Sequence, residues 1–223
     1  MTQSSRYPRP KSGEARPYRF PAFERRALAG GSALIAAPVR KLPLATLALI
    51  VEAGAVTDPS GRHVISQLTS DLLLEGTASL SGAELTERLE SFGADVDVVT
   101  DWDVTTITLT ALRDTFEPAV RLLGEVLRAP AFPAREVDRL KGERRAELML
   151  LRSEPRGLAD VMFTRVLYPE NSRFSKLIGG SEKSVAAISV DDIRAHHESR
   201  FRAGGVTAIV AGDVSADEAE KIV

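Results

Sequence analysis

The sequence predicts an α+β protein, an antiparallel or mixed sheet covered by helices. Two observations predict it. Short apolar runs of strand period recur along the chain and are separated by stretches of helical period. Phe, Trp and Tyr make up only 5% of the residues, so the core must be built from Leu, Val, Ala and Ile, which suits helices packed on a sheet. With 223 residues, 43% hydrophobic and 27% charged, the composition is that of a globular protein and excludes a disordered or fibrous chain. The 29 basic and 31 acidic residues leave a net charge of -2, which excludes recognition of nucleic acid or an anionic membrane by bulk charge. There is no Cys, which removes disulfides, thiol nucleophiles and zinc sites with sulfur ligands.

Residues 1–27 read as a basic, Pro-containing tail. They carry Arg6, Arg9, Lys11, Arg16, Arg19, Arg25 and Arg26 against Glu14 and Glu24. Pro8, Pro10, Pro17 and Pro21 break any continuous amphipathic helix, and no apolar run resembles a secretory leader, so a cytoplasmic protein is expected. No later stretch reaches the roughly 20 apolar residues of a membrane span.

The domain itself is read over 28–223. Ser32–Ala37 and Leu44–Ala53 are apolar runs bounded by Gly30, Gly31, Pro38 and Pro43, the pattern of a buried hairpin. From Gly61, the residues Val64, Ile65, Leu68, Leu72 and Leu73 recur at helical spacing to Leu74, and Gly76 stops that helix. Ser81 with Glu84 forms a capping box for a helix ending at Gly93. Val96 and Val98, then Val104, Ile107, Leu109 and Ala111, give a second hairpin broken near Asp101-Trp102-Asp103. Helices are predicted over Thr115–Leu127, Ala134–Arg152, Gly157–Leu167 and Ser189–Phe201, then a strand over Val206–Ala211. Ser215 with Glu218 opens a further helix in which the sequence stops, so these residues are expected to be the front part of a longer polypeptide.

The stretch Gly54-Ala55-Val56-Thr57-Asp58-Pro59, followed by a helix ending Leu73-Leu74-Glu75-Gly76-Thr77, resembles the insulinase/pitrilysin family of zinc peptidases, which includes the mitochondrial processing peptidase. "ELTERLESFG" at 84–93, Pro130-Ala131-Phe132-Pro133, Ile178-Gly179-Gly180, Ile188-Ser189 and Ala211-Gly212-Asp213-Val214 follow in the family's order. The resemblance implies an insulinase-like domain whose helix before Gly76-Thr77 would carry His-x-x-Glu-His, with two imidazole ligands and a general-base Glu, and a third ligand, Glu, on a later helix. Those positions here are Gln67, Leu68, Thr69, Ser70 and Asp71, with Glu147 in the place of the third ligand.

An amide oxygen is a poor zinc ligand and a serine hydroxyl cannot act as a carboxylate base, so no metal and no catalytic residue is assigned. His63 with Gln67 supplies only one strong ligand, and is expected to be exposed in the first helical turn. His196 and His197 are adjacent, so a helix points them apart, and they are expected to be surface and packing residues. Glu147 in "GERRAEL" has a simple alternative role, solvated or paired with Arg144.

The resemblance implies a non-catalytic half or subunit that forms a peptide chamber, as a heterodimer with a zinc-bearing His-x-x-Glu-His partner or with a second copy in a homo-oligomer. It implies peptide contact through an edge strand after the "ESFG" helix, at Asp97, Val98, Val99 and Thr100. The family's oxyanion-stabilising Arg and Tyr belong to a later half and are not assigned. A different class of function is a scaffold or assembly module, like the core proteins of a respiratory complex, with no proteolysis. A self-sufficient enzyme using Asp71, Glu147 and another metal is the weakest alternative.

Overall fold

The computed structural model describes residues 13–14 and 17–223. Among these described residues, six strands form one mixed sheet: β1 (Glu24–Ala27), β2 (Ala33–Pro38), β3 (Leu44–Val51), β4 (Asp95–Thr100), β5 (Thr105–Leu112) and β6 (Val206–Gly212). Their order across the sheet is β1-β2-β6-β3-β5-β4. Eight α-helices among the described residues accompany it: α1 (Ile65–Asp71), α2 (Gly82–Ser91), α3 (Arg113–Arg128), α4 (Ala134–Ser153), α5 (Pro155–Leu167), α6 (Glu182–Ala187), α7 (Val190–Arg200) and α8 (Ala216–Ile222). None of the described helices is long and apolar enough to cross a membrane.

The predicted α+β class holds, and so does the β4–β5 hairpin. The first hairpin does not. β2 and β3 are strands as expected, but β6 lies between them, parallel to β2 and antiparallel to β3, with Ile209 opposite both Ile35 and Ala48. Adjacent apolar runs give no signal of a partner brought in from about 160 residues away; only the folded chain supplies it. Two elements were not read from the sequence. β1 pairs with β2 inside the stretch set apart as a tail, and α6 is a six-residue helix opened by a Ser181–Ser184 capping box.

Side-chain alternation decides how the sheet is used. In β3, Ala45, Leu47, Leu49 and Val51 are buried, and in β5 so are Thr105, Ile107, Leu109 and Ala111. These lie on the face covered by α3, whose Phe116, Ala119, Leu123 and Val126 join the same core. Each fully buried Leu or Phe contributes about 2 kcal/mol by removal from water. Residues between them, Thr46, Ala48, Ile50, Thr106, Thr108 and Thr110, face the other way and are only half-buried. The sheet therefore has a helix-covered face and an open face rich in Thr, where the Thr46 and Thr110 hydroxyls hydrogen-bond at 3.0 Å.

One buried ion pair joins three loops. Arg173 Nη2 donates to Asp58 Oδ2 at 3.0 Å, and both side chains are almost wholly enclosed. Arg173 also donates to the carbonyls of Ala55 (2.8 Å) and Leu177 (3.0 Å), and its guanidinium lies 5.1 Å from the Trp102 ring centre. Trp102 sits in the β4–β5 turn, whose backbone bonds Gly54, Ala55 and Val56. Gly54 is needed there because a Cβ would stand 2.2 Å from the Asp103 carbonyl carbon.

Asp58 in turn opens α1. Its carboxylate accepts from Val64 N (2.7 Å), Ser66 N (3.1 Å) and Ser66 Oγ (2.5 Å). This capping by a residue outside the helix explains why α1 is shorter than the periodicity predicts. Val64 stands at φ 103°, a strained conformation for a β-branched residue, held by its bond to Asp58. The helix then begins at Ile65 rather than Gly61. Ser66 Oγ spends its proton on Asp58, so it accepts from His196 Nε2 at 3.3 Å, which places a proton on Nε2. Burial pushes the His196 pKa down to about 4, with Arg200 and His197 adding to the fall and Asp58 opposing it.

Two outcomes are expected. Asp58→Asn leaves the Arg173 cation buried without its counter-charge, and urea unfolding should show a loss of about 3 kcal/mol. His196 has a folded pKa below its unfolded value of 6.5, so its contribution is complete above 6.5 and is lost as pH falls toward about 4. Stability measured across that window should decline by up to about 3 kcal/mol on account of His196, and His196→Gln should flatten the decline.

Candidate functional site

The positions that matter for metal chemistry fall on α1 and α4, as expected. Gln67 and Asp71 lie one turn apart on α1, and Glu147 comes across from α4. All three line one recess of about 60 Å³, together with Val64, Leu68, Leu140, Glu143 and Arg144. That volume holds about two water molecules. Gln67, Asp71 and Glu147 thus share one recess.

Ser70 is not part of it. It points away from the recess toward the sheet, fully buried, donating to Ser66 O at 2.6 Å and bonding the Thr100 hydroxyl of β4. The Thr100 hydroxyl shares its one proton between Ser70 and Thr105 Oγ1, which lies 2.9 Å away, while Thr105 donates to Ala53 O at 3.1 Å. A chain of hydroxyls thus ties α1 to strands β4 and β5. The position that would carry a general base carries a structural hydrogen bond instead.

The recess is also wrong for a metal ion by its charges. Gln67 Oε1 is buried without a hydrogen-bond partner among the described residues, and a neutral amide oxygen is a weak donor for zinc. Asp71 is exposed at the mouth of the recess but crowded by protein on its inner side, which pushes its pKa up to about 6; Arg144 opposes the rise and Glu147 adds to it. Glu147 is itself exposed and pairs with Arg144 Nη1 at 2.6 Å, the alternative role read from the sequence. The residues do not fit a zinc ion: of three carboxylates, Glu143 is paired with Arg139 and Glu147 with Arg144, only Asp71 is left, and there is no imidazole.

The histidines lie elsewhere. His63 precedes α1 rather than sitting in its first turn and is partly buried, against expectation. It lines a separate polar recess with Ser60, Asn171 and Lys176, where burial and the nearby Arg173 push its pKa down. His196 and His197 point apart as expected, but both are buried packing residues. His197 Nε2 lies 3.0 Å from Leu127 O, and its ring stacks on Phe201 at 4.9 Å.

Strand β4 is an edge: it pairs with β5 and with no other described strand. Register separates its four candidate peptide contacts into two pairs. Val98 and Thr100, opposite the buried Ile107 and Thr105, face the helices, whereas Asp97 and Val99 face the open side with Thr108 and Thr106. Asp101 N bonds back to Val104 O, so by alternation the backbone groups of Val98 and Thr100 point outward from the sheet.

Sequence reading missed Arg144 as a member of the recess, and Asp58 with Arg173 as the support beneath it. The signal for Arg144 was present, since it was already a candidate partner of Glu147 three residues on. Nothing in the sequence joins Asp58 to a residue 115 positions away.

Comparison with known proteins gives the same picture. The profile of the insulinase family, peptidase family M16, matches residues 36–179, well over half of the chain. The non-peptidase homolog YmxG of Helicobacter pylori is 23% identical over 180 residues, 81% of this chain and 41% of that protein. The crystal structure of a peptidase M16 inactive domain from Pseudomonas fluorescens superimposes with a TM-score of 0.87 at 28% identity, over 90% of this chain and 49% of that one. A protease from Helicobacter pylori superimposes with a TM-score of 0.84 at 16% identity, over 91% and 49%. The chain thus spans about half the length, or less, of these relatives. It belongs to the insulinase family of peptidases, as a member with Gln67, Ser70 and Asp71 where the metal motif would place His, Glu and His.

Proposed function

We propose that this chain is the metal-free half of an insulinase-like peptidase, forming one wall of a peptide chamber while a partner bearing His-x-x-Glu-His and zinc performs hydrolysis. One observation carries this reading: an open edge strand, β4, packs on one side of α1, whose other side lines a recess without metal donors. A protein that has given up hydrolysis but not peptide contact would keep such an edge. An extended peptide would add to it through the outward backbone groups of Val98 and Thr100, with Asp97 and Val99 as side-chain neighbours on the open face. Backbone pairing gives affinity without strong sequence preference, which suits a chamber that accepts varied peptides.

A second surface supports assembly. Helix α5 leaves Phe163, Val166 and Leu167 66%, 83% and 57% exposed, and the end of α4 adds Met149 and Leu150. That much exposed apolar surface on adjoining helices suits contact with another domain or subunit. The same observation also favours the scaffold reading, in which the chain assembles with others and no peptide is cut. The partner separates the two readings.

Mixing the chain with a His-x-x-Glu-His protein from the same source should raise cleavage of an unstructured peptide several-fold over that protein alone. A mixture no more active than the partner would leave only the scaffold reading. Val98→Pro removes an outward-facing N–H from an edge strand, where proline is tolerated. It should abolish most of the enhancement while thermal unfolding stays cooperative; undiminished enhancement would remove β4 from peptide contact.

A further inference from the structure

Arg144 projects from α4 three residues before Glu147, into the recess that Gln67 and Asp71 line from α1. Three features fix it there. Its Nη1 pairs with Glu147 Oε2 at 2.6 Å, and its Nε donates to the Gly179 carbonyl at 3.0 Å. The third is a seat made by glycine. A Cβ on Gly179 would stand 0.9 Å from Arg144 Nη2, so the guanidinium lies in the space that any other residue at 179 would fill. Gly180 then brings this loop against the start of α1: a Cβ there would stand 2.3 Å from the His63 carbonyl oxygen. Arg144 thus links the α4 carboxylate, the 177–180 loop and the mouth of the recess.

We propose that the Arg144 guanidinium is the built-in cation of this recess, balancing its carboxylates in place of a metal ion and barring a divalent ion from entering. A guanidinium suits that role because it stays protonated at any physiological pH and cannot leave by losing its proton. A simple surface pair between Arg144 and Glu147 would contribute little and would move aside. The glycine seat and the Gly179 carbonyl are what hold the charge in place. Loss of imidazoles is therefore only half of the departure from a zinc site. Restoring the ligands alone leaves the recess occupied by a positive charge.

The experiment restores the ligands and then removes the charge. Gln67→His with Asp71→His returns two imidazoles one turn apart, facing Glu147. Zinc affinity is read by competition with a chromophoric chelator, and stoichiometry by elemental analysis. Adding Arg144→Leu should tighten zinc binding by about tenfold or more, since it removes a full charge beside the ion. Adding Gly179→Ala instead unseats the guanidinium but keeps its charge nearby, and should give a smaller gain. Zinc bound equally tightly with and without Arg144 would overturn the proposal. Should the histidine variant fail to fold, the unmodified chain is read by NMR. The Arg144 Nε–H should exchange slowly with solvent and lose that protection in Gly179→Ala; a freely exchanging Nε–H in the unmodified chain overturns the proposal.

Discussion

The buried pair of Asp58 and Arg173 is the constraint on which the site depends. It brings an enclosed carboxylate and an enclosed guanidinium together from positions 115 residues apart, and each satisfies further groups that would otherwise be left without partners. Asp58 caps α1, and Arg173 holds the 54–55 segment, the 177–178 carbonyls and the Trp102 ring. Burying such a pair is costly, and the hydrogen bonds around it are what make the arrangement tenable. The pair fixes the direction in which α1 leaves its loop. Gln67 and Asp71 then face α4, and Ser70 faces the sheet.

That geometry explains how the motif helix keeps its place without its chemistry. In a metal site, ligands from α1 and α4 would be held together by the ion. Here each helix is anchored separately: the hydroxyls of Ser70, Thr100 and Thr105 tie α1 to the sheet, and the Arg144 guanidinium ties α4 to the loop at Gly179. Hydroxyl bonds at the base position are compatible with close packing against β4, where an ionised carboxylate would need a partner to offset its desolvation. The substitution of Ser at position 70 therefore removes a function and serves the packing of the edge strand.

The sheet divides its work between two faces. Leu, Ile, Ala and Val on one side meet α3 and form the core, while Thr and small apolar residues on the other remain half-open. Strand β4 sits at the end of that open surface, with α1 packed beside it. An alternating strand sequence produces such a division with no further instruction, because consecutive side chains point to opposite faces.

Local rules made much of this legible from the sequence. Capping boxes at Ser81 and Ser215 and the serine at 189 marked helix starts, and alternation marked β4 and β5, because each signal lies within a few residues; the resemblance picked out positions 67, 70, 71 and 147, where the side chains lack metal chemistry. Tertiary structure alone decided the insertion of β6 between β2 and β3, the pairing of Asp58 with Arg173, and the seating of Arg144 on Gly179. These depend on where distant segments meet after collapse, and a pattern confined to neighbouring residues carries no record of which distant carboxylate, carbonyl or strand will close the contact.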